Sequence, residues 1–444
     1  MFNFLRAAPC VPEIQDPEVV KKKYSYWRLR VFLGMYLGYA FYYFTRKSFT
    51  FAMPALQSEL GLEKWELGLI GSILSVSYGA SKFVSGILGD RSNPRYFMAT
   101  GLILTGVFNI LFGLSSLFWL FAVFWGLNGW FQGWGSAGCA KLLTHWYSQS
   151  ERGRWWSFWS TSQNLGGVLM PIFVPVCAQL FGWSYSMLVP GVIGITMGLC
   201  LILFLRDTPQ SIGLPPIEKY RGDYGVKTAS LEKKMRGRDI LFEYVLRNKF
   251  IWVLAFSYFF VYVIRIAVND WSMLYLMEVK GYAPLEAGLC VCWFEIGGVF
   301  GSLVAGWSSD LLFKGRRNPV NAIFVTAILF LIIAFRFYVA PSYLIDAAFL
   351  FLFGFFIFGP QMLIGMAAAE LSHKKAAATA NGFVGTFAYL GAATAGAPLG
   401  AITKLWGWDS YLVALALCAA AALGLLLPLW SVRASPKEVI ATGD

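Results

Sequence analysis

The feature that most constrains this chain is a series of long apolar runs separated by short polar segments. A run of about 20 apolar residues can cross a bilayer as a helix, and a helix satisfies its own backbone hydrogen bonds there. Twelve such runs lie near residues 29–56, 65–89, 96–115, 118–140, 155–181, 185–205, 249–276, 285–309, 320–339, 343–370, 377–403 and 409–431. Charged residues make up only 14% of the chain, against about 25% in soluble domains. We therefore predict an all-α membrane protein with twelve transmembrane helices.

The runs fall into two sets of six, with one long polar segment between them. That segment, residues 206–248, holds Pro209, Pro215 and Pro216 near its start and a mixed charge run after them. We interpret it as a cytoplasmic linker between two six-helix bundles. The predicted division is a cytoplasmic N-terminal segment (1–28), a first bundle (29–205), the linker (206–248), a second bundle (249–431) and a cytoplasmic tail (432–444).

The basic residues predict which side of the membrane each loop faces. If the N-terminus is inside, most of the 36 Lys and Arg residues fall in inside segments, and the outer loops hold only Lys64, Lys280 and Lys404. This asymmetry predicts that both termini are cytoplasmic. The expected location is the cell inner membrane, as a multi-pass protein. The N-terminal residues lack the long apolar core of a cleavable signal peptide. The net charge of +12 then reflects topology, so the expected surroundings are a lipid bilayer, with no nucleic-acid partner.

Four cations lie inside predicted spans, namely Arg46, Lys47, Lys82 and Arg265. A charge near the bilayer centre costs roughly 3 kcal/mol on insertion scales, so it indicates a functional site. Two buried acids, Asp270 and Glu295, cannot neutralise four cations. The excess positive charge fits a phosphate monoester, which carries about −1.5 to −2 at pH 7. Guanidinium groups bind phosphate bidentately and lysine adds a point charge, so an oxyanion site is predicted.

Helical spacing places further polar residues on the same inward faces. Tyr39 and Tyr43 precede Arg46 at i, i+4 and i+7, and Tyr78 lies one turn before Lys82. The remaining candidates to line a substrate cavity are Gln163, Asn164, Tyr262, Asn269 and Glu295. Two structural alternatives remain: the tyrosines could be ordinary packing, and the arginines could form closed ion pairs with the acids. Lys47 points about 100° away from Arg46 around the helix, so its role stays open.

The sequence carries no pattern typical of an enzyme. No glycine-rich loop leads to a lysine of Walker type, and the segment ending at Ser136 lacks the second glycine of a nucleophile elbow. The seven cysteines show no metal-site spacing, so neither a metal nor a cofactor is expected. The two histidines, His145 and His373, fall in predicted cytoplasmic loops. A histidine proton relay within the membrane is therefore excluded, which favours exchange over proton symport.

The two halves of the chain repeat weakly. Gly68, Gly86 and Asp90 match Gly288, Gly306 and Asp310 at one constant offset of 220 residues, and Arg46 matches Arg265 at 219. Parallel repeats of this kind are typical of major facilitator proteins, whose site lies between the halves. The segment around Asp90, Arg91 and Arg95, with Asp310 in the degenerate second copy, is interpreted as a cytoplasmic gating latch. A plain stop-transfer turn is the alternative.

Four motifs together resemble the organophosphate:phosphate antiporter family of the major facilitator superfamily, most closely its hexose-phosphate (Uhp-type) branch. They are Tyr-Tyr-Phe-Thr-Arg-Lys-Ser-Phe at 42–49, Tyr-Gly-Ala-Ser-Lys-Phe at 78–83, Gly-Asp-Arg-Ser-Asn-Pro-Arg at 89–95 and Phe-Gly-Pro-Gln-Met-Leu-Ile-Gly-Met at 358–366. The resemblance covers about residues 26–430. It implies that Arg46, Arg265 and Lys82 bind phosphate, and it adds Tyr389 and Asn381 to the substrate-lining set.

Two departures from the family bear on the substrate. Gln163 stands where glycerol-3-phosphate transporters have a histidine, and Asn381 and Val384 replace an Asp and a Lys of the hexose-phosphate permease. The resemblance implies a monomer that exchanges a hexose phosphate, most naturally glucose 6-phosphate, for inorganic phosphate by alternating access. A membrane receptor that senses glucose 6-phosphate for a kinase partner is one alternative, and a proton-coupled organic anion transporter is another.

Overall fold

The computed structural model describes residues 5–222, 242, 245–338, 340–372 and 377–432. Regular structure in these residues is helical, which confirms the all-α prediction, and the one strand-like feature among them is an isolated bridge between Arg6 and Ser92. The long helices are α1 (Pro17–Leu60), α2 (Lys64–Arg91), α3 (Pro94–Gly113), α4 (Phe118–Trp146), α5 (Gln149–Ser160), α6 (Ser162–Phe181), α7 (Tyr185–Phe204), the short α8 (Ile217–Arg221), α9 (Lys249–Lys280), α10 (Pro284–Leu311), α11 (Arg317–Phe337), α12 (Tyr343–Glu370), α13 (Ala377–Thr394) and α14 (Ala397–Leu426).

Nine segments of the described chain are long and apolar enough to cross a membrane. They include α2, α3, α7 and α9 to α12. The helix α1 (44 residues) and the helix α4 (29 residues) are not among the nine, although both exceed the length a span requires. The last of the nine, Thr379–Leu429, runs over both α13 and α14.

Capping chemistry sets several helix ends, including one that the hydropathy pattern does not show. The Asp16 side chain accepts hydrogen bonds from the backbone N–H groups of Glu18 and Val19, and Pro17 occupies the first turn. Both features favour helix initiation. The helix α1 therefore begins at Pro17, well before the apolar run that starts near residue 29. Asn93 caps α3 and Asn248 caps α9 in the same way.

Three interruptions divide long helical segments, and two of them lie within runs that the sequence presents as continuous. The predicted fifth run is divided at Thr161 into α5 and α6. A second break precedes Pro398, which lacks an N–H and lies in the first turn of α14. Gly407 interrupts α14 with φ 78° and ψ 179°. Only glycine adopts that conformation without strain, so this residue separates two helical stretches, close to the predicted boundary between residues 403 and 409.

The chain forms two compact units, which are Met1–Glu232 with Ala283–Cys292, and Lys233–Tyr282 with Trp293–Asp444. In the first unit α2 packs on α4, α3 packs on α4 and α7, and α1 packs on α6 and α7. In the second unit α9 packs on α13 and α14, and α11 packs on α12 and α14. Glycines permit close approach: a β-carbon at Gly354 of α12 would lie 1.9 Å from the Phe294 carbonyl oxygen of α10.

Each unit contains a buried ion pair near helix ends. In the first, Lys141 lies 3.7 Å from Asp207, whose other oxygen accepts from the Ala8 N–H at 2.7 Å. In the second, Lys280 lies 3.4 Å from Asp346, and both side chains have 0% exposure. The sequence placed Lys280 in an outer loop, whereas it is the last residue of α9 and buried. Its ammonium also donates to the carbonyls of Tyr338 and Ala340.

Neutralising Asp346 should destabilise the protein strongly. We expect Asp346→Asn to lower the free energy of unfolding by about 3–5 kcal/mol, because it leaves the Lys280 charge buried without its counter-ion. The matched control is Asp409→Asn, which removes a carboxylate from the exposed pair with Arg336 and should change little. Thermal unfolding in detergent measures the stability of both variants. Equal unfolding midpoints would show that the buried pair contributes no more to stability than the exposed pair.

Candidate functional site

In the first unit, aromatic faces surround the Arg46 guanidinium. Its central carbon lies 4.3 Å from the ring centre of Tyr78 on α2 and 5.5 Å from that of Tyr43, one turn earlier on α1. A cation over an aromatic ring is attracted by the ring quadrupole, and the attraction is larger where water is scarce. Besides packing between helices, Tyr78 therefore makes a cation–π contact with the half-buried Arg46 guanidinium. The Lys82 ammonium lies 5.8 Å from the same ring.

The tyrosine stripe on α1 reaches α6 through a hydrogen bond. The Tyr43 hydroxyl donates to Oε1 of Gln163 at 3.0 Å. Tyr39 packs on Tyr43 with ring centres 5.7 Å apart and on Trp159 at 4.7 Å. Of the predicted residues in this unit, Tyr43, Tyr78, Lys82 and Gln163 are thus linked to Arg46, whereas Tyr39 belongs to an adjoining aromatic cluster. Asn164 and Lys47 are buried.

In the second unit, Arg265 has a closely similar environment. Its guanidinium carbon lies 5.5 Å from the ring centre of Tyr262, one turn earlier on α9, and 4.9 Å from that of Phe358 on α12. Tyr262 in turn packs edge-on against Tyr258 and Tyr389. The three-residue spacing from tyrosine to arginine therefore has the same geometry in both units, down to the 5.5 Å separation.

The remaining predicted residues of the second unit lie on three helices. Asn269 donates through Nδ2 to Oε1 of Glu295 on α10 at 3.2 Å, and both side chains are buried. This bond fixes the orientation of one carboxylate oxygen. Asn381 is exposed on α13, and a β-carbon at Gly365 of α12 would lie 2.7 Å from its Oδ1. The structure therefore joins Asn269 to Glu295 and places Asn381 beside a different helix.

A fully buried polar network lies on the opposite side of α1 from the tyrosine stripe. It consists of Tyr42, Thr45 and Ser48 of α1, Thr105 and Asn109 of α3, and Asn128 and Gln132 of α4. The Thr45 carbonyl accepts from Nδ2 of Asn109 at 2.7 Å and from Nδ2 of Asn128 at 3.0 Å. Gln132 donates to the Thr45 hydroxyl at 3.1 Å and to the Asn128 amide oxygen at 3.0 Å.

This network holds the backbone of α1 at the residue before Arg46. Polar groups in a dry interior are stable only when they are hydrogen-bonded, so a saturated network permits one arrangement of the three helices. Sequence reasoning missed it, although Thr105 with Asn109 and Asn128 with Gln132 are polar pairs at i, i+4 inside apolar runs. The second unit differs, because the counterparts of Tyr42, Thr45 and Ser48 at the 219-residue offset are the buried apolar residues Val261, Ile264 and Ala267.

The predicted gating residue Asp310 forms part of an ion-pair group at the end of α10. Arg317 at the start of α11 pairs with Asp310 at 2.5 Å and, through Nη2, with Glu370 of α12 at 3.1 Å. Nε of the same arginine lies 3.2 Å from each oxygen of that carboxylate. This arrangement links the ends of three helices. The side chains of Asp90 and Arg91, the predicted partners in the first half, lie outside the described part of the structure.

The hydrogen-bonded residues Ser48 and Asn109 of the polar network should be energetically coupled. Asn109→Leu leaves the Ser48 hydroxyl without its acceptor and removes one of the two amide donors to the Thr45 carbonyl. We therefore expect a loss of about 1–3 kcal/mol in the free energy of unfolding. Adding Ser48→Ala to that variant should cost less than Ser48→Ala does alone. Unfolding midpoints in detergent provide the comparison. Strictly additive effects would mean that the two side chains are not coupled.

The comparisons with known proteins agree with this architecture. The profile described as Major Facilitator Superfamily matches residues 35–396. The chain is 56% identical over 440 residues to the "Probable hexose phosphate transport protein" of Chlamydia pneumoniae, covering 97% of each chain. It is 47% identical over 440 residues to the "Membrane sensor protein UhpC" of Escherichia coli (strain K12), covering 99% of this chain and 100% of the relative.

A solved structure supports the fold independently. A bacterial homologue of the human lysosomal transporter Spinster, in an inward-facing and occupied conformation, superposes with a TM-score of 0.74. The match covers 90% of this chain and 96% of the homologue, at 14% sequence identity. Identity this low speaks for the fold alone. Together with the relatives above, it agrees with the resemblance that the four sequence motifs carry.

Proposed function

The chain belongs to the Major Facilitator Superfamily, and we propose that it exchanges a hexose phosphate for inorganic phosphate across an inner membrane. The observation that carries the proposal is the pair of arginines, Arg46 and Arg265, each half-buried over a tyrosine one turn earlier. Guanidinium groups suit a phosphoryl group, and the hexose-phosphate relative from Chlamydia pneumoniae supports the sugar moiety. Membership of a transporter family also confirms that the chain is not an enzyme.

The proposed topology has twelve spans with both termini in the cytoplasm. The nine apolar segments support it when α1 and α4 are added and when Thr379–Leu429 is divided at Gly407. The helix α1 falls short on hydropathy because its apolar run is rich in tyrosine and carries Arg46 and Lys47. Arg46 and the tyrosines Tyr39 and Tyr43 of this run belong to the proposed site, so the proposal accounts for part of the low hydropathy of α1.

The proposed mechanism uses the phosphoryl group as the element that neutralises the site. Arg46 and Lys82 from the first unit and Arg265 from the second bind its oxygens, and their contacts draw the units together during alternating access. Without an anion, the cations repel one another and resist the change of conformation. Exchange is then favoured over release of one substrate alone. Gln163 and Asn381 are proposed to contact the sugar, with Tyr39, Asn164, Asn269 and Glu295 lining the same path.

The gating proposal rests on the charged group at the end of α10. Asp310, Arg317 and Glu370 link three helix ends of the second unit, and Asp90 with Arg91 is proposed to act at the corresponding place in the first. The pairs hold the cytoplasmic ends of the helices in place while the site is open on the other side. They would rearrange when the units rock.

A receptor is the second candidate, because one relative carries the name of a membrane sensor. Such a protein would bind glucose 6-phosphate through the same arginines and signal to a kinase partner without sustained exchange. Transport, not binding, therefore distinguishes the two candidates.

Counterflow in proteoliposomes tests the proposal. Vesicles loaded with unlabelled phosphate should accumulate labelled external phosphate, and external glucose 6-phosphate should compete better than glycerol 3-phosphate. Efflux of preloaded phosphate should require an external substrate, since the empty site resists reorientation. Binding of glucose 6-phosphate without counterflow would favour the receptor, and substrate-independent efflux would contradict obligatory exchange. Uptake that instead follows the pH gradient would indicate proton coupling.

A further inference from the structure

Three arginines gather around the C-terminal end of α7, outside the proposed transport site. They are Arg30 of α1, Arg95 of α3 and Arg206, which follows α7 in the chain, and we name them the arginine cluster. Each donates a hydrogen bond to a carbonyl at that helix end. The acceptors are Leu203 for Arg30 at 3.1 Å, Ile202 for Arg95 at 2.5 Å and Leu205 for Arg206 at 2.8 Å.

Aromatic rings hold the guanidinium groups close together. The Trp27 indole lies 5.1 Å from the guanidinium carbon of Arg30 and 4.6 Å from that of Arg206. The Arg95 guanidinium lies 5.0 Å from the ring centre of Tyr96. Arg30 also donates to the Tyr26 hydroxyl. Cations and aromatic side chains arranged in this way are typical of the level of lipid headgroups.

The positive charge of the arginine cluster is not balanced within the described chain. Among the described residues, no carboxylate forms an ion pair with any of the three. Two nearby cations do have a carboxylate partner, since Arg28 and Arg221 both form ion pairs with Glu151. Burial lowers the pKa of Arg206, and the neighbouring charges of Arg95 and Arg30 lower it further. The negative end of the helix dipole offsets only part of this repulsion.

The arginine cluster keeps N–H donors that no described protein group accepts. Nε of Arg30 is buried and donates to no acceptor in the described structure. Arg95 uses its Nε on a carbonyl and Arg206 uses one terminal nitrogen, so the other N–H groups of both remain for a ligand. A phosphate oxygen accepts several such bonds at once and matches the planar geometry of guanidinium groups.

An exposed apolar stripe adjoins the cluster. Leu29, Leu33 and Leu37 follow one face of α1 at i, i+4 and i+8, with exposures of 57%, 47% and 41%. Leu199 and Leu203 are similarly exposed on α7, which packs against α1. In a membrane protein such a surface faces acyl chains, so the arginines lie at the polar edge of a lipid-facing surface.

We propose that the arginine cluster binds the phosphodiester headgroup of an anionic phospholipid, whose acyl chains lie along the leucine stripe. Charge complementarity selects an anion, and the adjoining apolar surface selects a lipid over a soluble phosphate. Basic groups near a membrane surface favour anionic lipids by about 1 kcal/mol each, which is roughly fivefold in affinity. The cluster shares no residue with the proposed substrate-binding set, although Arg95 belongs to the segment interpreted as a gating latch. The lipid would therefore be a bound structural partner and not a substrate.

Lipid retention by the full-length protein tests this site. Protein purified in detergent is incubated with phosphatidylglycerol or phosphatidylcholine, and bound lipid is counted by native mass spectrometry. Phosphatidylglycerol should be retained preferentially, and Arg206→Gln should reduce that retention roughly fivefold. The control Arg221→Gln removes an equal charge that is paired with Glu151, and it should leave lipid retention unchanged.

Further arms separate the possible sources of phosphate and guard against misfolding. Excess inorganic phosphate should not displace the lipid, because it lacks the acyl chains. Arg206→Lys keeps the charge and should retain more phosphatidylglycerol than Arg206→Gln. Both variants should elute from size-exclusion chromatography at the volume of the parent protein, which shows that they are folded. Equal retention of both lipids, equal retention by Arg206→Gln and Arg221→Gln, or displacement by inorganic phosphate would each overturn the proposal. The readout is independent of transport, so failure of the exchange proposal would not affect it.

Discussion

The cost of burying charge in an apolar helical protein is the constraint on which this structure depends. For two cations, Lys280 and Lys141, this cost is offset by a buried carboxylate and by nearby carbonyl groups that accept hydrogen bonds. Arg46 and Arg265 lie against aromatic faces, whose attraction for a cation offsets part of this cost. Charges of the first kind fasten helices together. Charges of the second kind are the ones to which the proposed transport function assigns the phosphoryl group.

The two units hold their arginines in different ways. Behind Arg46, amide side chains of α3 and α4 bond to the α1 backbone, and the whole network is buried. Behind Arg265, the corresponding residues are apolar and pack without directional bonds. Hydrogen bonds specify one register between helices, whereas apolar contacts tolerate small shifts. Next to Arg46 the backbone is therefore fixed by directional bonds, whereas at the corresponding positions next to Arg265 it is held by apolar packing.

Much of the helical layout could be predicted because hydrocarbon imposes a length on each span. The run at 343–370 coincides with α12, and the run at 185–205 differs from α7 by one residue. Helix ends outside the apolar runs could not be read from hydropathy, since Asp16 and Pro17 start α1 through capping chemistry. The break at Thr161 was missed because the polar residues around it, Ser160, Ser162 and Gln163, were interpreted as part of one long span.

The candidate site was predictable only where a charged residue, which is costly to bury in a membrane, marked it. Arg46 and Arg265 stood out as charges, and helical spacing then indicated Tyr43 and Tyr262 as neighbours. Asn109, Asn128 and Gln132 carry no charge and lie on separate helices, so their meeting around Thr45 required the packed structure. The ring partners Tyr78 and Phe358 also come from other helices.

The most direct test of the central claim is the affinity of purified protein for inorganic phosphate when Arg46 is replaced by lysine. Lysine keeps the charge but cannot form the planar pair of hydrogen bonds. Loss of charge-assisted hydrogen bonds of about 1.5–3 kcal/mol predicts an affinity lower by roughly ten- to a hundredfold in calorimetry. Arg336→Lys, at an exposed arginine paired with Asp409, should bind phosphate like the parent. Unchanged phosphate affinity in Arg46→Lys would contradict the account.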